Sequence, residues 1–506
     1  MTAINHEQFK NPLEDFDFCS SELVIGFVCA VGTNYEPIGR AVEECLRQFG
    51  YHTNVIRVSN LISTLTDHEL RDSPEIARIS SRMDAGNEAC RDSGRKDLWA
   101  LAAIADINKR RKKDEDGRLH PLGLTVHLLF SLKRPEEVET LRKVYGPGFF
   151  LVGVFATEKE RLSYLIERNA PKHEAIELIK RDAQEASEHG QHTSDTFQLS
   201  DVFVQLKDNA YVRELERFFD LVFANPYITP TQREHAMFLA YAASLRSGQL
   251  GRQVGAAIAT RDGDVLAVGC NDVPKAGGGL YWPGPTDRRD HTLGFDTNDA
   301  QRDKLTEQLV QELPDLHTFD KTSLKRRFKG ILDITEYGRA VHAEMDALLT
   351  CARSGVSPRG AHLFTTAFPC HNCTRHIIAA GIQRVIYIEP YAKSRAEELH
   401  DDAIVVEEKA RDEGRIQNRV PFTHFVGIGP RRYFDLFSLA LSSGQPLQRK
   451  HNSRVIKIVK ENGWTRVPLS PYSYMIRETL AIRQLNMLPK QLGMFVEETQ
   501  DADSEK

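Results

Sequence analysis

The chain has 506 residues, more than one hydrophobic core normally serves, so we expect at least two domains. Its 66 Lys and Arg residues are outnumbered by 71 Asp and Glu residues, which disfavours a dedicated nucleic-acid-binding protein. Eight cysteines are too sparse for a disulfide framework, and the sequence shows neither a secretory signal nor the roughly 18 apolar residues of a membrane span, so we expect a soluble, cytoplasmic protein.

The first half of the chain alternates short buried strands with helices. A loose N-terminal arm occupies residues 1–20. Strands are predicted at 23–28, 55–58, 125–132 and 149–156, and helices at 37–49 and in segments across 67–111. This alternation predicts a mostly parallel α/β sheet. We place the domain at residues 21–224 and its boundary at the stretch 225–230, which contains two prolines.

The second half predicts another α/β domain at residues 225–490. Thr231 with Glu234 forms a capping box that begins a helix, and an Asp-Gly turn predicts a hairpin of strands 254–260 and 265–270. Residues 272–330 form a long irregular insert. Helices are predicted near 337–353, at 371–380 and from 394, and strands at 361–365 and 384–389. The acidic tail at 491–506 is predicted to be disordered.

A histidine and two cysteines have the spacing of a metal site. A His-x-Glu sequence starts at His342, and a Pro-Cys-x-x-Cys sequence follows with Cys370 and Cys373. A catalytic zinc ion takes three protein ligands and leaves one position for water. A Cys-x-x-Cys at a helix N-terminus lets both sulfurs reach one ion as thiolates. We therefore predict a Zn²⁺ site with His342, Cys370 and Cys373 as ligands.

Glu344 is predicted to be the catalytic residue because, two residues beyond His342, it faces a different side of the helix from the ligand. Zinc lowers the pKa of its bound water to around 7. Glu344 would pass the proton of that water to N3 of cytosine and would then deliver a proton to the departing amino group. His-x-Glu with Pro-Cys-x-x-Cys is the signature of zinc deaminases. The alternative is a structural zinc ribbon, with His371 or His376 as fourth ligand.

Residues 229–391 resemble the deoxycytidylate deaminase family. The resemblance rests on four segments, SLRSGQLGRQV at 244–254, GCNDVP at 269–274, HAEMDAL at 342–348 and TTAFPCHNC at 365–373. It implies that Asn271 contacts the sugar and ring of the substrate and that Ala343 also binds substrate. It further implies that the segment with Tyr387 and Tyr391 closes the pocket; core packing is the alternative for these two tyrosines. The insert 272–330 is longer than the family requires.

The whole arrangement resembles the bacterial anti-phage dCTP deaminases. This resemblance implies a P-loop nucleotide-kinase-like parallel sheet domain followed by a cytidine-deaminase-like α/β/α domain. It implies deamination of free dCTP and dCMP to dUTP and dUMP, which would starve a phage of dCTP, and a homo-oligomer. The alternatives are an RNA or tRNA base deaminase, a housekeeping dCMP deaminase, and an inactive regulatory protein. The acidic net charge argues against RNA, and the complete motif argues against inactivity.

Gly26, Gly32 and Thr33 lie between a predicted strand and a predicted helix, which is the context of a phosphate-binding loop. The glycine spacing is one residue too long and no lysine follows Gly32, so phosphoryl transfer is not expected. The resemblance implies that these three residues bind a nucleotide or a regulator. A strand, turn and helix without a ligand is the alternative.

Three further features also have alternative interpretations. The basic run 109–113 is predicted to be a solvated loop, with a patch for regulatory RNA or nucleotide phosphates as the alternative. Arg431 and Arg432 are either surface charges or a triphosphate site. His291, in the insert, is considered for a contact with metal or substrate, although this is the less favoured interpretation.

Overall fold

The computed structural model describes residues 21–488, with gaps at 67, 114, 116, 118, 184–189, 208, 314–319, 321–322, 325–327, 329–336, 390–393, 407–417, 441–445 and 467–470. The N-terminal arm, the acidic tail, Tyr391 and part of the insert fall outside these residues. The chain forms two compact units. The first contains the described residues up to Pro230 and those from Val426 onward, and the second is Thr231–Phe425.

The first unit is built on a parallel sheet covered by helices. Its strands are β1 (Leu23–Cys29), β2 (His52–Arg57), β3 (Thr125–Phe130), β4 (Phe149–Phe155) and β5 (Val202–Gln205). Its helices before Pro230 are α1 (Glu36–Arg47), α2 (Val58–Leu65), α3 (Glu75–Ser93), α4 (Leu98–Lys109), α5 (Pro135–Tyr145), α6 (Glu158–Glu167), α7 (Lys172–Ala183), α8 (Thr193–Phe197) and α9 (Ala210–Val222). The predicted parallel α/β sheet is confirmed, because all pairings among β1–β5 are parallel.

Strand β1 lies at the centre of this sheet, between β3 and β4. All seven of its residues are buried, as expected for a strand covered on both faces. Ile38, Val42 and Leu46 of α1 recur every fourth residue and pack into the core formed with β1, β3, β4 and α9. The carboxyl ends of β1 and β3 therefore meet at one edge, where α/β sheets commonly bind ligands.

The end of the chain returns to the first unit. We label its elements β12 (Gly427–Ile428), α16 (Tyr433–Phe437), β13 (Lys450–His451), β14 (Arg454–Val455) and α17 (Pro471–Asn486), after those of the second unit. The sequence predicted that residues up to 490 belong to the second domain. The described residues from Val426 belong instead to the first unit, because β12 pairs antiparallel with β5 and α17 packs against α4.

The second unit contains a six-stranded mixed sheet in the order β10-β11-β9-β8-β6-β7. Its strands are β6 (Gly255–Ala259), β7 (Val265–Cys270), β8 (His362–Thr365), β9 (Arg384–Tyr387), β10 (Ile404–Val406) and β11 (Val420–His424). Its helices are α10 (Gln232–Ser244), α11 (Asp290–Leu293), α12 (Thr297–Glu312), α13 (Ala343–Ser354), α14 (His371–Ala379) and α15 (Ala396–Leu399).

Several local predictions for the second unit are confirmed. Thr231 caps α10 with Glu234 in a capping box, and β6 and β7 form the predicted antiparallel hairpin. The helix predicted from residue 337 begins later, at Ala343, because residues 338–342 lead into it as an extended segment. The described part of the insert 272–330 includes the helices α11 and α12 and is more regular than expected. None of the described helices has the length and apolarity that crossing a bilayer requires.

Glu214 on α9 makes the stability of the first unit depend on pH. Burial raises the pKa of its carboxyl to about 7, and Oε2 has no hydrogen-bond partner in the described part of the chain. The folded protein therefore keeps a proton that the unfolded chain releases near pH 4.5. Stability from this group is complete below that pH and falls as the pH rises to about 7.

Replacing Glu214 with glutamine is expected to remove this loss. At pH 8 the variant should be more stable than the natural protein by about 2 kcal/mol, discounting for partial solvent access, and at pH 4.5 the two should be equal. Urea unfolding at both pH values measures the difference. Glu216→Gln on the same helix is the control, and an equal gain from both variants would contradict the assignment.

Candidate metal centre and active site

Two helix N-termini carry the predicted zinc ligands. His342 is the N-cap residue of α13, and Cys370 is the N-cap residue of α14. The Cys370 sulfur accepts a hydrogen bond from the Cys373 amide at 3.4 Å, which folds the Cys-x-x-Cys around the first turn. Extended backbone precedes both helices, and Val341 pairs with Asp272 ahead of His342. The side chains are therefore presented by fixed backbone at both helix starts.

The three predicted ligands lie together. Nδ1 of His342 is 3.4 Å from the sulfur of Cys370 and 3.4 Å from the sulfur of Cys373. Zinc binds sulfur at about 2.3 Å and imidazole nitrogen at about 2.0 Å, so tetrahedral ligands should be about 3.5 Å apart. The spacing of the three side chains fits a zinc ion.

The group consists of three ligands within the described residues, all within 4.8 Å of one another. His371 and His376, considered as a fourth ligand for a structural ribbon, do not belong to it. Three protein ligands with a fourth position for water is the arrangement of a catalytic zinc site. The donor set therefore favours the catalytic interpretation over the structural one.

The pKa values of the two cysteines are shifted in opposite directions. The hydrogen bond from the Cys373 thiol lowers the pKa of Cys370, and the same bond together with burial raises the pKa of Cys373. The hydrogen bond with the Cys370 sulfur raises the pKa of His342. Two sulfurs of opposite pKa shift beside an imidazole are an environment that a divalent cation stabilises.

Glu344 lies in the first turn of α13, and its side chain faces the same centre. It is 3 % exposed, and its Oε2 is 3.5 Å from the Cys373 sulfur. Burial raises the pKa of its carboxyl, which favours the protonated form. Glu344 is outside the group of three ligands. A buried carboxyl beside a metal site, but not part of it, is placed to exchange protons with a substrate.

Gly269 sets the position of α13 against the sheet. It lies on β7, and a Cβ added there would be 2.4 Å from the Ala343 carbonyl oxygen and 2.4 Å from the Ala347 amide nitrogen. The next residue, Cys270, donates its amide to the buried Asp346 carboxylate at 3.2 Å. Both contacts fix the helix that begins beside His342.

Replacing Gly269 with alanine is expected to displace α13 and its first turn. Displacement of catalytic groups by about 1 Å can cost about 100-fold in rate, and overpacking costs about 2 kcal/mol of stability. Steady-state turnover and thermal unfolding measure the two effects. Gly39→Ala is the control, because a Cβ there would lie 3.5 Å from Phe130, an ordinary contact. Full turnover in the Gly269 variant would contradict this role.

Asn271 braces the loop that precedes β6. Its Oδ1 accepts the Val254 amide at 2.7 Å, and its Nδ2 donates to the Arg252 carbonyl at 2.8 Å. Ala343 is fully buried as the first residue of α13. The substrate contacts expected of Asn271 and Ala343 stay predictions, as does that of Tyr391, which lies outside the described residues.

Other polar residues singled out by the sequence lie away from this centre or have partners. Tyr387 is 1 % exposed and contacts His424 and Phe368, which supports its core-packing interpretation. Nδ1 of His291 is 3.2 Å from the Gly248 carbonyl oxygen, and His291 is not in the ligand group. Arg432 is buried in the first unit, where it pairs with Asp201 and Asp435 and donates to the Phe149 carbonyl; Arg431 is exposed.

The predicted phosphate loop of the first unit has an internal partner. Gly26 lies inside β1, where a Cβ would be 2.6 Å from Leu132, and Gly32 has a φ of +85° that favours glycine. The Val31 amide donates to the carboxylate of Asp182 at 2.8 Å. The ligand expected at Gly26, Gly32 and Thr33 stays a prediction.

Lys133 also binds Asp182, beside the carboxyl end of β1. Its Nζ is 2.8 Å from Asp182 Oδ1 and 2.8 Å from the Cys29 carbonyl oxygen, and Thr193 also donates to Asp182. Asp182 is fully buried. The Asp182 carboxylate therefore accepts a hydrogen bond from a backbone amide of this turn. In a P-loop, an amide at such a turn would bind phosphate.

Comparison with known proteins agrees with the geometry of the second unit. The family model described as "Cytidine and deoxycytidylate deaminase zinc-binding region" matches residues 230–389. This part of the chain is therefore similar to the zinc-binding region of cytidine and deoxycytidylate deaminases. The matched range contains both helix starts that carry the candidate ligands and Glu344.

Individual relatives are similar to parts of the chain. "ComE operon protein 2" of Bacillus subtilis (strain 168) is 41% identical over 105 residues, 20% of this chain and 56% of that protein. "Deoxycytidylate deaminase" of Enterobacteria phage T2 is 27% identical over 157 residues, 31% of this chain and 79% of that protein. A crystal structure of dCMP deaminase from the cyanophage S-TIM5 aligns at 18% identity and a TM-score of 0.22, covering 39% of this chain and 99% of its own. The chain spans about half the length of the first of these relatives.

Some residues of the centre were not identified from the sequence. Asp346 holds the end of β7, and Glu389 accepts the Phe368 amide at 2.8 Å, just before the Pro-Cys-x-x-Cys segment. Arg252 pairs with Glu389. The signal for Glu389 is a carboxylate at the end of the strand predicted at 384–389, but the pairing itself depends on the sheet order.

Proposed function

We propose that this chain is a zinc-dependent hydrolytic deaminase of free deoxycytidine nucleotides. The observation that carries the proposal is the convergence of His342, Cys370 and Cys373 on one point, with the buried Glu344 carboxyl beside them. The deaminase domain at residues 230–389 and the relative named deoxycytidylate deaminase support it. RNA as a substrate receives less support, because the chain has a net charge of -5.

In this proposal His342, Cys370 and Cys373 hold a zinc ion between the starts of α13 and α14. The ion, when bound, supplies Lewis acidity and makes water a nucleophile near neutral pH. Glu344 accepts the proton of the attacking water and transfers it to N3 of the cytosine ring. Glu344 then takes the remaining proton from the hydroxyl group now on C4 and delivers it to the amino nitrogen as the bond from C4 to nitrogen breaks. Water and the aminopyrimidine are converted to a uracil ring and ammonia.

Burial of Glu344 suits this role. The raised pKa of the carboxyl is closer to the pKa values of the groups between which it transfers protons. General acid–base catalysis is most effective when these values are similar. Glu344 is only 3 % exposed, so bulk water has little access to the carboxyl. Proton transfer is therefore confined to substrate and the attacking water.

A substrate panel tests the proposal. We expect purified protein reconstituted with zinc to release ammonia from dCTP, dCMP or both, giving dUTP and dUMP, and to lose this activity when a chelator removes the metal. CTP, deoxycytidine and single-stranded RNA complete the panel, and product masses identify the reaction. Deamination of RNA alone would overturn the substrate assignment, and undiminished activity without metal would overturn the zinc dependence.

We further propose that the reaction depletes dCTP in anti-phage defence and that the first unit regulates it. The support is the resemblance of the two-part arrangement, together with the need to restrain an enzyme that would otherwise consume the host's own dCTP. Cells that express the protein should lose dCTP after phage infection and resist the phage, whereas cells with Glu344→Ala should not. Unchanged dCTP levels and phage yield would overturn the defence role.

A further inference from the structure

The carboxylate of Asp182, near the end of α7, is bound by three donors at the carboxyl end of β1. Its Oδ2 accepts the Val31 amide at 2.8 Å. Its Oδ1 is 2.8 Å from Lys133 Nζ and accepts the Thr193 hydroxyl at 3.1 Å. The Asp182 side chain is 0 % exposed, and that of Lys133 is 13 % exposed. Donors from the turn after β1, from the loop after β3 and from the start of α8 therefore converge on one buried carboxylate.

The three donors are of the kinds that bind oxyanions in general. A backbone amide, an ammonium group and a hydroxyl group all donate hydrogen bonds, and the ammonium group adds a positive charge. They lie between the end of a parallel strand and a helix, where α/β proteins commonly bind phosphate groups. The carboxylate of Asp182 therefore takes the position at which these donors would hold a phosphate.

The turn after β1, at residues 30–33, is engaged by other parts of the chain as well. The Thr33 amide donates to the Ala30 carbonyl at 3.1 Å. A Cβ added to Gly32 would be 2.6 Å from the carbonyl oxygen of Arg161, so the backbone of α6 lies directly against the turn. A phosphate entering here would have to break the bond from the Val31 amide and bring a second negative charge beside the buried carboxylate, which is unfavourable.

We propose that Asp182 is a built-in anion that closes the turn after β1 and excludes nucleotide phosphates from it. The anion that the donors require is then supplied by the chain itself, in place of the nucleotide expected at Gly26, Gly32 and Thr33. Without this carboxylate, the same donors form a site for inorganic phosphate. The inference concerns the first unit alone and does not depend on the proposed deaminase function. A regulator of the first unit would accordingly bind at another surface.

Hydrogen exchange of the natural, full-length protein tests whether the turn is closed. The probes are ATP and inorganic tripolyphosphate, and exchange is followed in the peptide of residues 26–33, so binding in the second unit does not enter the result. We expect exchange in this peptide to change by less than about twofold with either probe up to about 5 mM. A saturating decrease in exchange with either probe would overturn the inference, and this measurement requires no variant to fold.

Variants of Asp182 test whether the donors form an anion site. Asp182→Ala removes the carboxylate and leaves space, so exchange in the same peptide should accelerate by about 30-fold or more. Inorganic phosphate should reverse this acceleration, whereas sodium chloride at the same ionic strength should not. Asp182→Ala combined with Lys133→Met lacks the cation and should not respond to phosphate.

Asp182→Asn is the control for space, because asparagine keeps the side-chain volume and leaves no room for a phosphate. Its exchange should therefore not respond to phosphate. The inference is overturned if phosphate does not slow exchange in Asp182→Ala, or if phosphate slows exchange equally in Asp182→Ala and Asp182→Asn.

Discussion

Replacing Glu344 with glutamine is expected to lower turnover of deoxycytidine nucleotides by about 10³-fold, within the range known for loss of a general acid–base residue. Glutamine has the same shape as glutamate and cannot exchange protons. The carboxyl is 3 % exposed and lies 3.5 Å from the Cys373 sulfur, and Glu344 is not in the ligand group. The substitution should therefore remove proton transfer and leave metal binding intact.

Two measurements on the same sample establish this result. Ammonia release gives turnover, and elemental analysis gives the zinc content per chain, which should equal that of the natural protein. Glu398→Gln is the matched control, because Glu398 is an exposed glutamate of the same unit that pairs with Arg395. Turnover within tenfold of the natural value would remove Glu344 from the mechanism. A loss of zinc together with activity would make it a ligand instead.

The side chains of the candidate metal centre were predictable from the sequence because each half of the cluster is local. His342 and Cys370 each start a helix, and the residues that follow them, Glu344 and Cys373, are fixed by the first turn. A helix turn needs only a few neighbouring residues to define where its side chains point. The spacing His-x-Glu and Cys-x-x-Cys therefore indicated which side chains would converge, and the structure brings all four together.

The residues around the centre were not predictable in this way, because their partners are distant in sequence. Arg252 and Glu389 meet only because the strands that follow and precede them share one sheet. The segment from Val426 was assigned to the second domain because β12 has only two residues, too few for a periodic pattern. Pairing with β5, which was itself not predicted, decides its place.

The basic run at residues 109–113 also contains a residue whose partners are distant in sequence. The prediction of a solvated loop is wrong for Arg111, which is fully buried at its side chain. Its acidic partners, Glu22 and Glu478, are 89 and 367 residues away along the chain. Neighbouring Arg110 is about half exposed and pairs with Asp106, one turn earlier. Local charge does not distinguish the two arginines, whereas the fold does.

Replacing Arg111 with alanine is accordingly expected to destabilise the first unit by about 4 kcal/mol, the usual cost of removing one partner from a buried ion pair. Arg111 is 2.7 Å from Glu22 and 2.7 Å from Glu478, and both carboxylates are at most 1 % exposed at their side chains. Without the guanidinium, two buried carboxylates would lack their main counter-charge. Arg110→Ala is the matched control and should cost less than about 0.5 kcal/mol.

Hydrogen exchange and urea unfolding locate and measure the loss. Exchange should accelerate in α17, which carries Glu478, and in β1, which follows Glu22, while the second unit keeps its protection. Equal stability of the Arg110 and Arg111 variants would show that the cluster contributes nothing.

A triple variant, Arg111→Met with Glu22→Gln and Glu478→Gln, separates charge from packing. It removes the buried charges together and keeps most of the side-chain volume, so it should be more stable than Arg111→Ala although it retains none of the ion pairs. Tyr474, which donates to Glu22 at 2.6 Å, can still donate to a glutamine oxygen there. If the triple variant is no more stable than Arg111→Met alone, which keeps the same side-chain volume, the loss does not come from the uncompensated carboxylates.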